Sequence, residues 1–270
     1  MKKILTLTFL LVSILAYCKD PDGEKVLALG KHLYKLEKAS WNSTDHFLAS
    51  YPDKVDSIGG YLSYLGEDNF VYSIFFSRYN NDYILARYKF ENTPTKAPIL
   101  IDTENHISTE NERILITIRQ DALNRVSENS DNFFSFYQKT SLNLIPIIYE
   151  NERNVYILTG PQENGYVLIG NDYKLTYSKK NKFIEKKKLH NSLISIPYSQ
   201  NGQEIVTTMH SHVVSEIIDP TDICTFLLYK EFVTWKEHIV FGKEYVSIFN
   251  LEKETLVILT REAFEKMNKK

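Results

Sequence analysis

Short runs of aromatic and β-branched residues, separated by turn-forming residues, constrain the fold most strongly. Three such runs follow one another at residues 61–65, 71–76 and 83–90. Gly, Asp and Asn in the intervening segments 66–69 and 79–82 favour tight turns, whereas the runs themselves favour strands. This region is therefore predicted to form an antiparallel meander.

Helical spacing of apolar residues flanks the meander on both sides. Residues 24–50 and 109–128 carry apolar side chains at three- and four-residue steps, which indicates amphipathic helices. Ser43, Thr44 and Asp45 are predicted to cap a second short helix inside the first segment, and residues 132–138 to extend the later one.

The second half of the chain combines further strands with two helices, so the predicted fold class is α+β. A helix is predicted to begin at Asp219-Pro220 and to run to about Trp235, because Pro and acidic residues favour the first turn. The last helix is predicted at residues 261–269. Strands are predicted at residues 142–149, 155–158, 166–169, 173–177, 204–210, 239–241, 245–249 and 255–259, and the Lys-rich segment 179–188 is predicted to be a solvated loop. We expect three parts: a leader at 1–18, an N-terminal region at 19–145 and a C-terminal domain at 146–270.

The first eighteen residues are typical of a secretory signal. A basic start precedes an apolar run at residues 4–16, which is too short to span a membrane. Two processing routes stay open: cleavage after Cys18, giving a soluble exported protein, or lipidation of Cys18, which would anchor the protein to a bilayer. Both predict a periplasmic or extracellular location.

Charge and cysteine content limit the possible partners and cross-links. Lys and Arg number 32 against 34 Asp and Glu, so the chain lacks the basic surplus that nucleic-acid binding favours. Cys224 is the only cysteine besides Cys18, which leaves no internal disulfide once Cys18 is removed or acylated. Cys224 lies in an apolar run and is predicted to be a small buried side chain.

The triplet His210-Ser211-His212 is the strongest candidate for chemistry. Residues i and i+2 of a strand point to the same face, so both imidazoles can reach one point. Asp222 follows at the predicted helix start. Two His and one Asp, with a fourth position left open, match a catalytic zinc site, where the ion makes hydroxide available at neutral pH.

This order of residues resembles the JAMM (MPN-type) zinc metalloproteases. The segment Glu163-Asn-Gly-Tyr-Val-Leu-Ile-Gly, the His-x-His triplet and the acid-flanked helix start carry the resemblance, which covers residues 153–260. It implies a curved α/β sheet flanked by helices, with His210, His212 and Asp222 as metal ligands and Glu163 as the general base. The implied activity is hydrolysis of peptide or isopeptide bonds in a peptide or protein substrate.

The sequence also departs from that family pattern. Val213 stands where the family has Pro, and Asp219 stands where it has the Ser that binds the reaction intermediate. Asp219 could instead be the carboxylate ligand, with Asp222 capping the helix. The alternative function is a non-catalytic binding or scaffold protein of the cell envelope. Five other histidines show no ligand-like spacing and are predicted to be ordinary surface or core residues: His32, His46, His106, His190 and His238. An alternative for His190 is that it joins the cleft through the segment Lys188-Leu-His190.

Overall fold

A computed structural model describes residues 22–94, 96–199 and 205–268. Its helices are α1 (Gly23–Ser50), α2 (Glu110–Glu128), α3 (Pro220–Tyr229) and α4 (Arg261–Asn268), and a 3-10 turn covers Pro52–Ser57. Its strands are β1 (Ile58–Leu65), β2 (Val71–Ser77), β3 (Tyr83–Phe90), β4 (Leu100–Asp102), β5 (His106–Ile107), β6 (Thr140–Tyr149), β7 (Glu152–Pro161), β8 (Tyr166–Gly170), β9 (Tyr173–Tyr177), β10 (Phe183–Lys188), β11 (Leu193–Pro197), β12 (Thr207–Ser211), β13 (Glu237–Phe241), β14 (Tyr245–Asn250) and β15 (Thr255–Thr260).

These strands pair into four sheets within the described residues. The meander forms β1-β2-β3-β4, with β5 also paired to β3, and the other sheets are β10-β9-β7-β6, β11-β8 and β12-β13-β14-β15. Neighbouring strands run antiparallel except β12 and β13, which are parallel. The predicted α+β class is therefore confirmed.

Helix α1 joins the two halves of the chain through the largest core. Phe47 of α1 stacks on Phe75 of β2 with ring centroids 4.4 Å apart. Gly30 lies against α3 so closely that a Cβ at this position would be 2.6 Å from Cβ of Ile223. The same buried cluster continues to Phe249 of β14. This packing fixes α3, and with it Asp222, against the N-terminal helix.

Two predicted helix boundaries are wrong. The segment Ser43–Asp45 caps no new helix, because α1 continues unbroken to Ser50 and the Ser43 hydroxyl lies 2.6 Å from the Ser73 hydroxyl. Helix α2 ends without the predicted extension, since Asn129 adopts a left-handed conformation with φ of 36°.

The second half also differs from the sequence prediction in detail. Helix α3 ends at Tyr229 instead of continuing to Trp235. Part of the Lys-rich segment is strand β10 instead of loop, because it pairs with β9 and Lys186 contacts Asp131 at 2.7 Å. Cys224 is fully buried, as predicted, and burial raises the pKa of its thiol well above the ordinary value.

Two expectations, the leader and the division of the chain into two parts, have no structural test. The leader, with Cys18, lies outside the described residues. Among the described residues, no helix is both long and apolar enough to cross a membrane. The division between residues 145 and 146 stays a prediction, and β6 runs across that position.

Candidate metal centre

Four buried side chains from separate segments meet at one point. They are His190 in the loop between β10 and β11, His210 on β12, His212 directly after β12, and Asp222 in the first turn of α3. One potential ligand atom from each lies within 4.8 Å of the other three. These four residues are therefore close enough to hold a metal ion.

The distances within this cluster match the spacing of ligands around one ion. Nε2 of His190 and Nε2 of His212 are 3.0 Å apart, and each lies 3.2 Å from an oxygen of Asp222. Ligands about 2.1 Å from a tetrahedral zinc ion stand about 3.4 Å from one another. Nε2 of His210 is buried and has no hydrogen-bond partner among the described residues. It is therefore available as a further ligand.

Strand pairing places the two histidines of the triplet on one side, as the sequence predicts. His210 pairs with Val240 in the parallel ladder of β12 and β13. The backbone N–H of His212 donates to Phe241 O at 2.9 Å, so the ladder continues one residue beyond β12. Both imidazoles are buried, whereas Ser211 between them is exposed.

The start of α3 positions the carboxylate. Asp222 is the third residue of the helix, and its Oδ2 accepts the backbone N–H of Asp219 at 3.0 Å. Its Oδ1 accepts no hydrogen bond among the described residues, although Nε2 of His190 is only 3.2 Å away. Asp222 thus caps the helix with one oxygen and presents the other to the cluster.

Groups outside the cluster hold the far side of two imidazole rings. Nδ1 of His212 lies 2.7 Å from Ser215 Oγ and 2.9 Å from the carbonyl oxygen of Ile217. Nδ1 of His190 lies 3.5 Å from Oδ2 of Asp172. Metal-binding histidines commonly donate this second nitrogen to a carboxylate or carbonyl, which fixes the tautomer and the ring orientation.

A buried histidine holds His210 in the same way. Nδ1 of His210 is 2.7 Å from Nε2 of His238, whose Nδ1 is 2.6 Å from Oγ1 of Thr208. If His210 donates through Nδ1 to Nε2 of His238, then His238 donates through its own Nδ1 to the Thr208 hydroxyl oxygen. Nε2 of His210 then carries a free lone pair. This is the protonation state that a metal ligand requires.

The electrostatics of the cluster favour a positive charge at its centre. Burial by itself lowers the pKa of His190, but the carboxylates of Asp222 and Asp172 outweigh burial and raise it to about 11. Burial lowers the pKa of His210 to about 4. Burial would raise the pKa of Asp222, but His190 and His212 outweigh burial and hold it well below the ordinary value. A metal cation would supply the same positive charge.

Access to the cluster is narrow. A cleft of about 30 Å³ is bordered by His190, His210 and His212 together with Val213 and Val214. A volume of roughly 10–15 Å³ already holds one water molecule. The site is therefore buried but reachable by a single ion or water.

Known proteins offer no guide to this site. No family model matches the chain, and no curated protein or solved structure matches it.

The structure does not bring Glu163 to the cluster, in contrast to the predicted general-base role. Glu163 lies on the turn between β7 and β8, is 58% exposed and contacts Nζ of Lys139 at 2.9 Å. The other end of β8, Gly170, is the end that packs beside His190. Five strand residues at about 3.3 Å each separate these ends by about 13 Å. Glu163 is therefore a surface acid in an ion pair.

Asp219 lies beside the cluster instead of within it. Its Oδ2 is 3.8 Å from Nδ1 of His212 and 4.0 Å from Nε2 of His190, and it accepts the Ser215 hydroxyl at 2.8 Å. Burial and the charge of Asp222 raise the pKa of Asp219 to about 6. Asp222 is thus the better placed of the two predicted carboxylate ligands.

Sequence reasoning missed His238 and favoured an ordinary role for His190, with entry into the cleft only as an alternative. His190 reaches the cluster only because β11 pairs with β8 and β10 pairs with β9, which fixes the loop between β10 and β11 beside Gly170. His238 lies opposite Thr208 in the β12–β13 ladder. His238 comes two residues before Val240, which pairs with His210. A correct prediction of the β12–β13 pairing would therefore have placed His238 near the His210-Ser211-His212 triplet.

Proposed function

We propose that this protein binds one zinc ion through His190, His210, His212 and Asp222. The observation that carries the proposal is the convergence of these four buried ligand atoms within 4.8 Å. Imidazole nitrogens suit zinc, copper, iron and nickel, and a closed four-ligand set of His and Asp with tetrahedral spacing favours zinc among them.

Four protein ligands indicate that the ion has a structural role. Zinc sites closed by protein ligands stabilise folds, whereas catalytic sites keep a position open. Here the ion would join the loop after β10, the end of β12 and the start of α3. Cys224 is a free thiol, so zinc would supply the cross-link that an exported protein commonly obtains from disulfides. We therefore favour a zinc-stabilised binding or scaffold protein, exported to the cell envelope.

One observation favours a second candidate, a zinc-dependent hydrolase of peptide or isopeptide bonds. The carboxylate of Asp219, with a pKa of about 6, lies within 4.0 Å of two of the ligand histidines. Asp219 could hold a proton at Oδ2 in place of the distant Glu163. Zinc, when bound, supplies the Lewis acid for such a reaction.

Metal content tests the binding proposal directly. We expect about one zinc per chain by elemental analysis of the full chain purified without chelators. Zinc in hundredfold excess over Kd should add about 2.7 kcal/mol to the stability of EDTA-treated protein. His190→Ala and His212→Ala should each abolish this gain, whereas His106→Ala, a half-exposed histidine paired with Asp102, should keep it. Protein that takes up no transition metal when zinc is supplied contradicts the proposal.

Activity of the zinc-loaded protein decides between the two candidates. A structural zinc predicts no cleavage of a peptide library or of isopeptide-linked substrates. Cleavage that disappears in Asp219→Asn while zinc content is unchanged would establish the hydrolase instead. Cleavage that survives Asp219→Asn would exclude Asp219 as the proton acceptor.

A further inference from the structure

A second cleft shares no lining residue with the cleft beside the histidines. It is lined mainly by aromatic rings. It has a volume of about 360 Å³. We call it the aromatic cleft, and the residues that define it are Trp41, Tyr61, Tyr198, Tyr229, Phe232 and Asp45. They come from α1, β1, the segment after β11, the end of α3 and the turn that follows α3. None of them borders the cleft beside the histidines.

Four of the five rings form one connected array, whereas Tyr61 packs against Phe75 and has the Arg119 guanidinium 5.5 Å from its ring centroid. Trp41 meets Tyr229 edge-on with centroids 5.5 Å apart, and Tyr198 lies 6.3 Å from Tyr229. Tyr198 also stacks on Phe232 at 6.0 Å with an interplanar angle of 22°. Phe232 is nevertheless 52% exposed. Tyr229 belongs to the core, and Trp41, Tyr61 and Tyr198 pack against it, so core packing accounts for the inner rings but not for Phe232. An exposed apolar ring at the rim of a cleft is typical of a ligand site.

The charged side chain that lines the aromatic cleft is Asp45. Asp45 is exposed and forms no ion pair with any residue that the structure describes, and no Lys or Arg side chain lines the cleft. The Trp41 indole N–H donates to Oε1 of Glu37 at 3.0 Å, and Glu37 is only 4% exposed. A carboxylate that accepts this hydrogen bond shifts electron density onto the indole ring, so the ring face attracts a cation more strongly.

We propose that the aromatic cleft binds a small quaternary ammonium compound, of the size of choline. Methylated ammonium ions carry their charge beneath an apolar surface, so they lose little hydration and are held by aromatic faces instead of hydrogen bonds. Asp45 supplies the counter-charge at the cleft. The cleft volume lies within the ~300–1,000 Å³ range of small-molecule sites.

The decisive experiment compares choline with its neutral isostere, 3,3-dimethyl-1-butanol. The two are titrated calorimetrically into the full chain at pH 8, with zinc and after EDTA treatment. We expect choline to bind at least about tenfold more tightly than the alcohol, because only choline gains the cation–π attraction. Zinc should not change this ratio, so the result is independent of the metal proposal. Equal affinities, or no binding of choline, would overturn the inference.

Variants locate the binding to the cleft. Trp235 is 2% exposed and lies in the core, so quenching of tryptophan fluorescence by the ligand reports on Trp41. Asp45→Asn, at an exposed position that leaves the fold intact, should weaken choline binding about fivefold, and Trp41→Leu more than tenfold. Tyr79→Ala, at an aromatic residue that is 80% exposed and lies outside the cleft, should have no effect. Unchanged affinity in Asp45→Asn and in Trp41→Leu would place the ligand elsewhere and contradict the inference.

Discussion

Two buried carboxylates with the same local role have different surroundings. Glu112 and Asp222 are each the third residue of a helix, each is fully buried, and each accepts the backbone N–H of the residue before its helix. Around Glu112, Arg87 contributes three hydrogen bonds of 2.9–3.1 Å and Tyr64 a fourth at 2.8 Å. Protein groups alone therefore satisfy the hydrogen-bonding capacity of the Glu112 carboxylate.

Asp222 is surrounded by groups that can lose a proton. His190 and His212 lie 3.2 Å from its oxygens, yet its Oδ1 accepts no hydrogen bond among the described residues. An arginine remains protonated at all ordinary pH values, whereas a histidine can offer a lone pair to a metal. The identity of the partners, and not burial or helix position, therefore leaves Asp222 able to bind a metal ion and Glu112 not.

Removing Glu112 should have the largest effect on stability. Glu112→Ala leaves Arg87 without its partner in a part-buried position and removes a helix cap, so we expect a loss of about 3–5 kcal/mol in the free energy of unfolding. Urea unfolding with and without zinc measures this loss, which should be the same in both. Glu110→Ala, at an exposed acid in the same helical turn, should change stability by less than about 0.5 kcal/mol. A loss below about 1 kcal/mol in Glu112→Ala would show that this ion pair is not a stabilising unit.

Glu37 provides a third buried carboxylate, with a single hydrogen bond from Trp41. Burial raises its pKa from 4.5 to about 7, against the effects of Trp41 and Arg119. The folded state therefore holds a proton that the unfolded state loses. The stability that the protonated Glu37 side chain contributes is full below pH 4.5 and is lost as pH rises to about 7. At about 1.4 kcal/mol per pKa unit, the free energy of unfolding of the unmodified protein should fall by on the order of 3 kcal/mol between pH 4 and pH 8 because of Glu37. This decrease should be absent in Glu37→Gln.

Thermal unfolding of Glu37→Gln and of the unmodified protein across this pH range checks the expectation. Glu24→Gln, at an exposed acid on the same helix, is the matched control and should follow the unmodified protein. An identical pH dependence in Glu37→Gln would mean that Glu37 keeps an ordinary pKa in the folded state.

Asp172 tests whether a residue beside the far side of a ligand ring affects zinc affinity. Its Oδ2 lies 3.5 Å from Nδ1 of His190, and its Oδ1 accepts the backbone N–H of Thr159 at 3.1 Å. Asp172→Asn keeps an oxygen for Thr159 but removes the charge behind His190. We expect zinc affinity to fall about 10–100-fold, which is typical for loss of such a partner. A zinc titration by calorimetry measures the change, and unchanged affinity would remove Asp172 from the metal centre.

Glu163 should show the smallest effect. Its ion pair with Lys139 is exposed on both sides, and such pairs contribute about 0–1 kcal/mol. Glu163→Gln should therefore leave zinc content, zinc affinity and melting temperature almost unchanged. A loss of zinc-dependent activity in this variant, with the metal retained, would restore Glu163 as the proton acceptor of a hydrolase.

Features that depend on neighbours along the chain could be predicted from the amino-acid sequence. The period of two in His210-Ser211-His212 placed both imidazoles on one side of β12, and the acidic start at Asp219-Pro220 marked the beginning of α3. The meander and the capped start of α2 follow from turn residues and from Thr109. Each of these depends on backbone geometry over a few residues, which local sequence specifies.

The residues that complete the site lie far apart along the chain, and the three-dimensional fold was needed to identify them. His190 joins the cluster and Glu163 does not, because strand pairing brings Gly170, and not the opposite end of β8, beside the loop that carries His190. Long-range pairing depends on the packing of the whole core, so no short spacing in the sequence reports it. With His190, four residues are close enough to hold a metal ion, where the sequence predicted three ligands and an open fourth position.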